Sequence, residues 1–223
     1  MRRSYVQVIR EKKKELTRKT IMEKGFELFT ERGIESVTMQ EIADASLVGR
    51  ATLFNYFNSK VDLVIAIGSW KWSEYIERKA EETKQFDREK RTGAELLSNY
   101  LDAFLEQYRS YRSNLRFNYN FNSYLRSERA TPEQKEPYMQ MINDLAASFH
   151  VIYERGMKDR TLNASISEEE MFSGSFHIML AAVTRYAVGL VYISENADPE
   201  KELAMLRRLL FQEYTEETKK DTV

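Results

Sequence analysis

The sequence predicts an all-α protein of about nine helices, arranged as a small N-terminal bundle followed by a larger helical body. Apolar residues recur at spacings of three and four along the chain, which is the pattern of a helix with one buried face. Only 8 Gly and 3 Pro interrupt the 223 residues, so few positions break a helix. Several starts are marked by Ser, Thr or Asp before an acidic first turn, and 42% apolar residues can supply a sizeable core.

Three predicted helices make up the N-terminal bundle. The first spans 16–32, and Gly25 inside it indicates that another helix passes close by, because glycine otherwise costs a helix about 1 kcal/mol. The second begins after Thr38, which forms a capping box with the glutamate three residues later. The chain then breaks over 45–48, and a third short helix follows over 49–56.

Six further predicted helices make up the body. The fourth is capped by Ser59 and ends in a charged connection at 87–91. Pro137 leaves two alternatives for the seventh helix, since it either kinks that helix or marks its true start near Glu136. The remaining helices start near Thr92, Asn114, Thr131, Ser167 and Asp198, and the last two run to about Ser194 and Tyr214.

The charge is divided along the chain, although the net value is only -1. Up to Lys60 there are twelve Lys and Arg against eight Asp and Glu, a net charge of +4, and the rest of the chain carries -5. A basic head of this kind favours an anionic partner. We therefore place a domain boundary at Lys60, with one domain at 1–60 and a second at 61–223.

Several classes of function find no support in the residues. The chain has no cysteine, no apolar signal segment and no run of about 18 uncharged apolar residues, so we expect a cytoplasmic protein that does not enter a membrane. No paired catalytic carboxylates, nucleophile elbow, phosphate loop or metal-ligand set can be identified, and we expect neither an enzyme nor a cofactor. An all-α enzyme and a module that binds another protein remain the alternatives.

Two short helices with a tight break between them, behind a longer supporting helix, are typical of a tri-helical helix-turn-helix that binds DNA. In the second short helix Leu53 and the side bearing Tyr56 and Phe57 can pack inward. The residues left on the outer face suit the major groove, because Arg can bridge guanine O6 and N7 and Thr offers a hydroxyl and a methyl group. These candidate base readers are Arg50, Ala51, Thr52 and Asn55, and the candidate phosphate binders around them are Thr38, Gln40, Tyr56 and Lys60.

Two structural alternatives stand beside this interpretation. The segment 38–57 could be a helical corner that binds nothing, since such corners are common in all-α proteins. The run 12–14, which is Lys-Lys-Lys, is by itself more often a solvated helix end than a phosphate contact.

The segment Val37 to Leu63, VTMQEIADASLVGRATLFNYFNSKVDL, closely resembles the helix-turn-helix of the tetracycline-repressor (TetR) family, and the resemblance extends back over 21–33. It implies a homodimer, repression that responds to a ligand, and a C-terminal domain that holds the effector. Carried over by position, the base contacts fall on Arg50, Ala51 and Thr52, with Gln40 as a further candidate. The phosphate contacts fall on Thr38, Phe54, Asn55, Tyr56 and Lys60.

Three departures from the family pattern bear on the site. Leu47 occupies the turn position where the family has Gly, and a positive φ there would strain a leucine. Gly49 replaces a capping Ser, which removes a hydroxyl at a cost of a few tenths of a kcal/mol. Phe54 stands where Tyr is common, so it cannot donate a phosphate hydrogen bond, and we interpret it as a packing residue.

Aromatic residues crowd the body, and most are expected to fill its core. A bundle this rich in Tyr, Trp and Met could also line a largely apolar effector cavity with a few polar groups. The candidate lining residues are Trp72, Phe104, Tyr108, Phe121, Tyr124, Phe149, Tyr153, Phe176 and His177. His150 is interpreted as structural.

The last two predicted helices carry small and apolar residues that invite close packing, including Gly174, Ala181, Leu206 and Leu209. They could pack within one subunit, but a dimeric four-helix interface is at least as consistent with the pattern. A twofold axis would set two reading helices about 34 to 36 Å apart and predicts a palindromic operator.

Overall fold

The computed structural model describes residues 5–84, 90–191 and 198–216. Over these ranges the chain forms nine α-helices and no strand, which confirms the predicted all-α class. The helices are α1 (Tyr5–Arg32), α2 (Met39–Ala45), α3 (Arg50–Tyr56), α4 (Lys60–Lys84), α5 (Gly93–Ser110), α6 (Arg112–Ser127), α7 (Pro132–Asp159), α8 (Glu168–Ala187) and α9 (Pro199–Tyr214).

The helix starts follow local capping chemistry. Thr38, Thr92 and Ser167 each accept a hydrogen bond from the backbone N–H three residues on, and the glutamate at that position accepts one from the backbone N–H of the cap. Asp198 caps α9 ahead of Pro199. Helix α7 runs through Pro137 from its start at Pro132, so the alternative start near Glu136 is wrong.

Two predicted helix limits are wrong. Helix α1 begins at Tyr5 and not at Leu16, because its first turns consist of helix-forming residues that pack on no core and so show no apolar periodicity. Helix α8 ends at Ala187 and not near Ser194, since Gly189 adopts a φ of 72° just beyond it and closes the helix. Residues 192–194 of that prediction, and 87–89 of the predicted charged connection, lie outside the described residues.

The first of two compact units comprises Met1–Ser73 and Phe117–Gln140. A Cβ placed on Gly25 of α1 would lie 2.9 Å from Cδ1 of Ile67 on α4, which confirms that another helix passes close to this glycine. Phe117 of α6 lies 5.6 Å from Phe26 of α1, measured between ring centroids. The fully buried core side chains of this unit include Ile21, Phe29, Ile42, Leu53, Leu63, Ile67 and Phe121.

The second unit comprises Glu74–Arg116 and Met141–Val223. Helices α5, α8 and α9 pack against one another here. The start of α5 also touches α7, because a Cβ on Gly93 would lie 2.1 Å from the Cα of Gly156. The fully buried side chains of this core include Leu97, Leu101, Phe149, Met171, Met179 and Val183.

This division differs from the boundary that we place at Lys60. Helices α4, α6 and α7 each contribute residues to both units, and aromatic residues of α6 complete the core around α1 and α4. The assignment of DNA binding to 1–60 and of effector binding and dimerisation to 61–223 stays a prediction. None of the helices in the described ranges is both long and apolar enough to cross a membrane.

Candidate nucleic-acid interface

The entrance to α2 is held by a hydrogen-bonded cluster of three side chains. Glu41 accepts hydrogen bonds from the backbone N–H and the hydroxyl of Thr38, at 2.7 and 2.8 Å, and from Arg32 at 2.7 Å. The bonds from Thr38, backbone first, and then the bond from Arg32 lower the pKa of Glu41 to about 2. Because Arg32 ends α1 and Glu41 lies in the first turn of α2, the cluster joins these two helices.

The turn between α2 and α3 contains the strain that the sequence predicts. Leu47 has a φ of 54°, and its side chain is 93% exposed. Its backbone closes α2 with a hydrogen bond from its N–H to the carbonyl of Asp44 at 3.1 Å. Gly49 then caps α3 without a side-chain hydrogen bond. Both departures from the family pattern thus have the local effect that we expect.

Helix α3 is anchored by Leu53 and Phe57, whose side chains are buried at 0% and 3% exposure. Since these two side chains point into the core, the opposite face of this two-turn helix is presented to solvent. Phe54 is half-buried, and the guanidinium of Arg50 lies 5.7 Å from its ring centroid, as expected of a packing residue. The exposed residues are Arg50, Ala51, Thr52 and Asn55, the four predicted to face the bases.

The predicted phosphate binders differ in how many contacts their side chains already make within the protein. Thr38 is exposed but caps α2, and exposed Gln40 donates a hydrogen bond to Asp44 at 2.8 Å. Tyr56 is half-buried. Contact of these side chains with DNA stays a prediction.

Lys60 holds together the corner where α4 begins. Its ammonium donates a hydrogen bond to the carbonyl of Glu35 at 3.1 Å and lies 5.3 Å from the ring centroid of Tyr124 on α6. Partial burial lowers the pKa of Lys60, against the opposing effect of nearby glutamates, Glu128 foremost. Its structural role, which the sequence did not reveal, is to tie the loop after α1 to α6.

A groove of about 890 Å³ runs beside α3, and the sequence prediction missed it. One wall belongs to residues 7–17 of α1, most of which precede the predicted helix start, and the other to the turn and α3. Residues of the two walls include Arg10, Lys13 and Lys14 on α1 and Gly49, Thr52 and Tyr56 opposite.

The predicted effector residues do not form one group. Phe121 and Tyr124 belong to the core of the first unit. Trp72 falls in the same unit and is partly buried. His177 is exposed on α8. The remaining five pack in the second unit, where Phe104, Tyr108 and Phe149 are buried and Tyr153 and Phe176 are partly buried.

A polar contact inside this second core was also missed. The ring of Tyr100 packs edge-on against Phe104 and Phe149, with centroids 5.4 and 5.0 Å apart. Its hydroxyl accepts a hydrogen bond from Ser175 at 3.3 Å, and burial raises the pKa of Tyr100. The signal in the sequence was the four-residue spacing of Tyr100 and Phe104, which places both on one face of α5.

His150 is exposed and lies 2.9 Å from Glu168 and 3.5 Å from Glu154. The hydrogen bond to Glu168 raises the pKa of His150, in keeping with the structural role that we expect. Across the described ranges, no three acidic or histidine side chains are grouped so that they could hold a metal ion.

Comparison with known proteins finds one family model that matches the N-terminal segment. Residues 21–67 match the model of "Bacterial regulatory proteins, tetR family". No curated protein matches the chain. Among solved structures, a proposed transcriptional regulator from Saccharomonospora viridis in complex with choline has a TM-score of 0.71 at 15% identity, over 91% of this chain and 100% of that one. The regulator FadR from Bacillus subtilis, in complex with stearoyl-CoA, has a TM-score of 0.67 at 18% identity, over 87% and 97%.

A tetR-family regulatory protein from Rhodococcus RHA1 has a TM-score of 0.64 at 16% identity, over 88% of this chain and 96% of that one. These likenesses show that the fold extends well beyond the matched N-terminal segment. The capped α2, the turn at Leu47 and the exposed face of α3 all lie within that segment. Residues 21–67 thus match the tetR family of bacterial regulatory proteins, and the chain as a whole has the fold of the solved regulators named above.

Proposed function

We propose that this protein is a homodimeric repressor that binds a palindromic operator through α3 of each subunit and releases it when a small, largely apolar effector binds. One observation carries the proposal. Leu53 and Phe57 fix α3 to the core, while Arg50, Thr52 and Asn55 stay exposed on its free face. A short helix with this division can enter the major groove without rearranging.

In this proposal Arg50, Ala51 and Thr52 contact bases, and Asn55 lies at the edge of the groove. Arg50 is the residue with the largest expected effect, because a bidentate contact with guanine discriminates by about 1 to 3 kcal/mol. The ring of Phe54 supports its guanidinium from below. Thr38, Gln40, Tyr56 and Lys60 surround this face as phosphate contacts.

The outer faces of α8 and α9 support a dimer. Ile178, Met205 and Leu209 are 44%, 50% and 52% exposed, although large apolar side chains are usually buried. On α8 the exposed Ala181 follows Ile178 by three residues and keeps the surface flat. The inner faces of both helices are already used inside the subunit, by Ser175, Ala187, Leu203 and Leu210. Pairing α8 and α9 with their symmetry mates would cover the outer faces in a four-helix interface.

The aromatic core of the second unit is where we propose that the effector binds. Phe172 and Phe176 stack at 5.7 Å beside Phe104 and Phe149, and Tyr100 with Ser175 supplies polar groups within this apolar cluster. Such a lining suits an amphipathic or aromatic molecule. The similar structures from S. viridis and B. subtilis hold choline and stearoyl-CoA, respectively, which supports an effector with an apolar or cationic part.

Effector binding must favour one arrangement of the subunits to release DNA. We propose that it shifts α4, which contributes to both units, and so changes the separation of the two α3 helices. A hundredfold loss of operator affinity needs about 2.7 kcal/mol of coupling between the two sites. Full operator affinity in effector-saturated protein would contradict this mechanism.

Selection of bound duplexes from a random DNA pool tests the proposal. We expect a palindromic consensus for the wild-type protein. The Arg50→Ala variant should bind about 1 to 3 kcal/mol more weakly per half-site and lose preference at one symmetric position. The control is Lys158→Ala, which removes one positive charge from an exposed position in the second unit and should leave the consensus unchanged. If Arg50→Ala instead weakens binding to all DNA sequences by the same factor, Arg50 contacts phosphate and not a base.

Two other functions predict different results. A protein-interaction module would form complexes without the steep salt dependence that phosphate binding produces, which a gel-shift series in rising salt measures. An enzyme would retain its turnover in Arg50→Ala and Thr52→Ala. We propose that the protein is not an enzyme and that it acts in the cytoplasm, where bacterial operator DNA lies.

A further inference from the structure

The first turns of α1 form a basic segment that no part of the proposed function uses. This segment, residues 5–17, is called the α1 extension here. It forms one wall of the groove beside α3, and it contributes Arg10, Lys13 and Lys14 to that wall. The same wall holds one acidic residue, Glu11, so three positive charges face one negative charge.

The charged groups of these three residues are exposed and unneutralised. Arg10, Lys13 and Lys14 are each exposed, and in the part of the chain that the structure describes their side chains form no ion pair or hydrogen bond. By contrast, Lys24 further along α1 is paired with Glu27 at 2.7 Å. A groove with unpaired cations on one wall has a positive potential that attracts an anion.

The helical pattern of α1 shows that the cations occupy the inward face. Positions 10, 14, 17, 21 and 25 succeed one another at spacings of three and four and therefore lie in one row. At Ile21 and Gly25 that row is buried in the core, whereas at Arg10 and Lys14 it faces the groove.

The outward row of the extension is largely apolar, with Lys12 as its one charged residue, which reverses the usual amphipathic arrangement. Tyr5, Ile9 and Leu16 are 79%, 50% and 65% exposed. The extension thus presents cations where a packed helix would present apolar residues. This arrangement is what an anionic occupant of the groove requires.

The opposite wall identifies the anion. It consists of the turn and the start of α3, including Gly49, Thr52 and Tyr56, and these residues adjoin the face that we propose to read bases. A DNA strand bound by α3 would bring its phosphates to this groove. We propose that the α1 extension is a second DNA-binding element, which grips the phosphodiester backbone next to each half-site through Lys14, Lys13 and Arg10. The proposal rests on the proposed function of α3.

Matched single substitutions on the extension test this inference. Lys14→Gln removes a charge from the groove, and Lys12→Gln removes the same charge two residues away, at an exposed position that does not line the groove. Each variant is titrated, as full-length protein, with the selected consensus duplex and with a random-sequence duplex at several salt concentrations. Thermal unfolding confirms that both variants keep the wild-type fold.

The expected result is specific to Lys14. If each subunit loses one phosphate contact, a dimer loses two. The plot of the logarithm of the DNA-association constant against the logarithm of the salt concentration then becomes shallower by about 1.8. Between 50 and 200 mM salt the affinity of Lys14→Gln should then fall about 12-fold less than that of the wild type. Consensus and random duplexes should weaken by the same factor, Lys12→Gln should match the wild type, and Lys14→Arg should restore the slope.

Three results would overturn the inference. Equal effects of Lys12→Gln and Lys14→Gln would mean that only the overall charge matters, and a wild-type slope in Lys14→Gln would mean that the groove meets no phosphate. A change in the consensus selected by Lys14→Gln would mean that Lys14 reads a base. If the wild-type protein bound no duplex at all, the proposed function of α3 would fail instead, so the two failures are distinguishable.

Discussion

Leu47 makes the turn between α2 and α3 a site where a single substitution should stabilise the protein. Its φ of 54° lies in the left-handed region, where a residue with a Cβ is strained by about 1 to 2 kcal/mol. Because the side chain is 93% exposed, removing it gives up almost no buried apolar surface. Leu47→Gly therefore relieves the strain without opening a cavity.

The expected gain is the difference between two terms. Glycine relieves about 1 to 2 kcal/mol of strain but costs about 0.4 to 1 kcal/mol, because it makes the unfolded chain more flexible. The net stabilisation is about 1 kcal/mol. For a chain of this size the melting temperature should rise by about 3 °C.

Thermal unfolding followed by circular dichroism measures this shift, with Leu47→Ala as the matched control. Alanine shortens the side chain but keeps a Cβ in the left-handed conformation, so the strain remains and the melting temperature should stay close to that of the wild type. If Leu47→Gly melts no higher than Leu47→Ala, the turn stores no strain and the reasoning is refuted.

Two further predictions concern the second unit. Gly156→Ala should lower the free energy of unfolding, measured in urea, by about 2 to 3 kcal/mol, because its Cβ would lie 2.2 Å from Cγ of Leu162. Gly174→Ala is the control and should lower it less, since its Cβ would meet only the hydroxyl of Tyr214 at 2.8 Å. Equal losses in the two variants would contradict the packing argument. The raised pKa of His150 means that its contact with Glu168 stabilises the fold below about pH 6.5 and is lost as pH rises through the raised value. His150→Gln should therefore lower the melting temperature at about pH 5.5 and have no effect near pH 8.5; a pH-independent loss would contradict it.

The elements that the sequence predicts well are those set by neighbouring residues. The capping boxes at Thr38, Thr92 and Ser167 need only a hydroxyl and a glutamate three residues apart, and each marks the observed start of its helix. The strained turn at Leu47 and the exposed face of α3 are likewise local properties, since a turn and two buried anchors determine them. Local sequence patterns are therefore enough to place the helix-turn-helix correctly.

The features that the sequence does not reveal depend on distant packing. Aromatic residues at helical spacing indicate that a face is buried, but not in which core. The sequence therefore could not show that Phe121 and Tyr124 lie in one core and Phe104 and Phe149 in the other. The start of α1 was missed for the opposite reason. None of the extension's residues belongs to the hydrophobic core, and apolar periodicity indicates only helices that have a buried face. The contact between Lys60 and Tyr124 could not be predicted, because the two residues lie far apart along the chain.

The packing of α6 also bears on how an effector could act on DNA binding. Phe117 and Phe121 of α6 complete the core that holds α1 and α4, and a Cβ on Gly68 of α4 would lie 2.8 Å from the ring of Phe121. The first residues of α6, up to Arg116, belong to the second unit. A displacement of α6 would therefore change the packing of α1, even if α4 stayed in place. Because packed cores favour discrete arrangements over gradual deformation, we expect such a displacement to switch this core between alternative packings and not to deform it gradually.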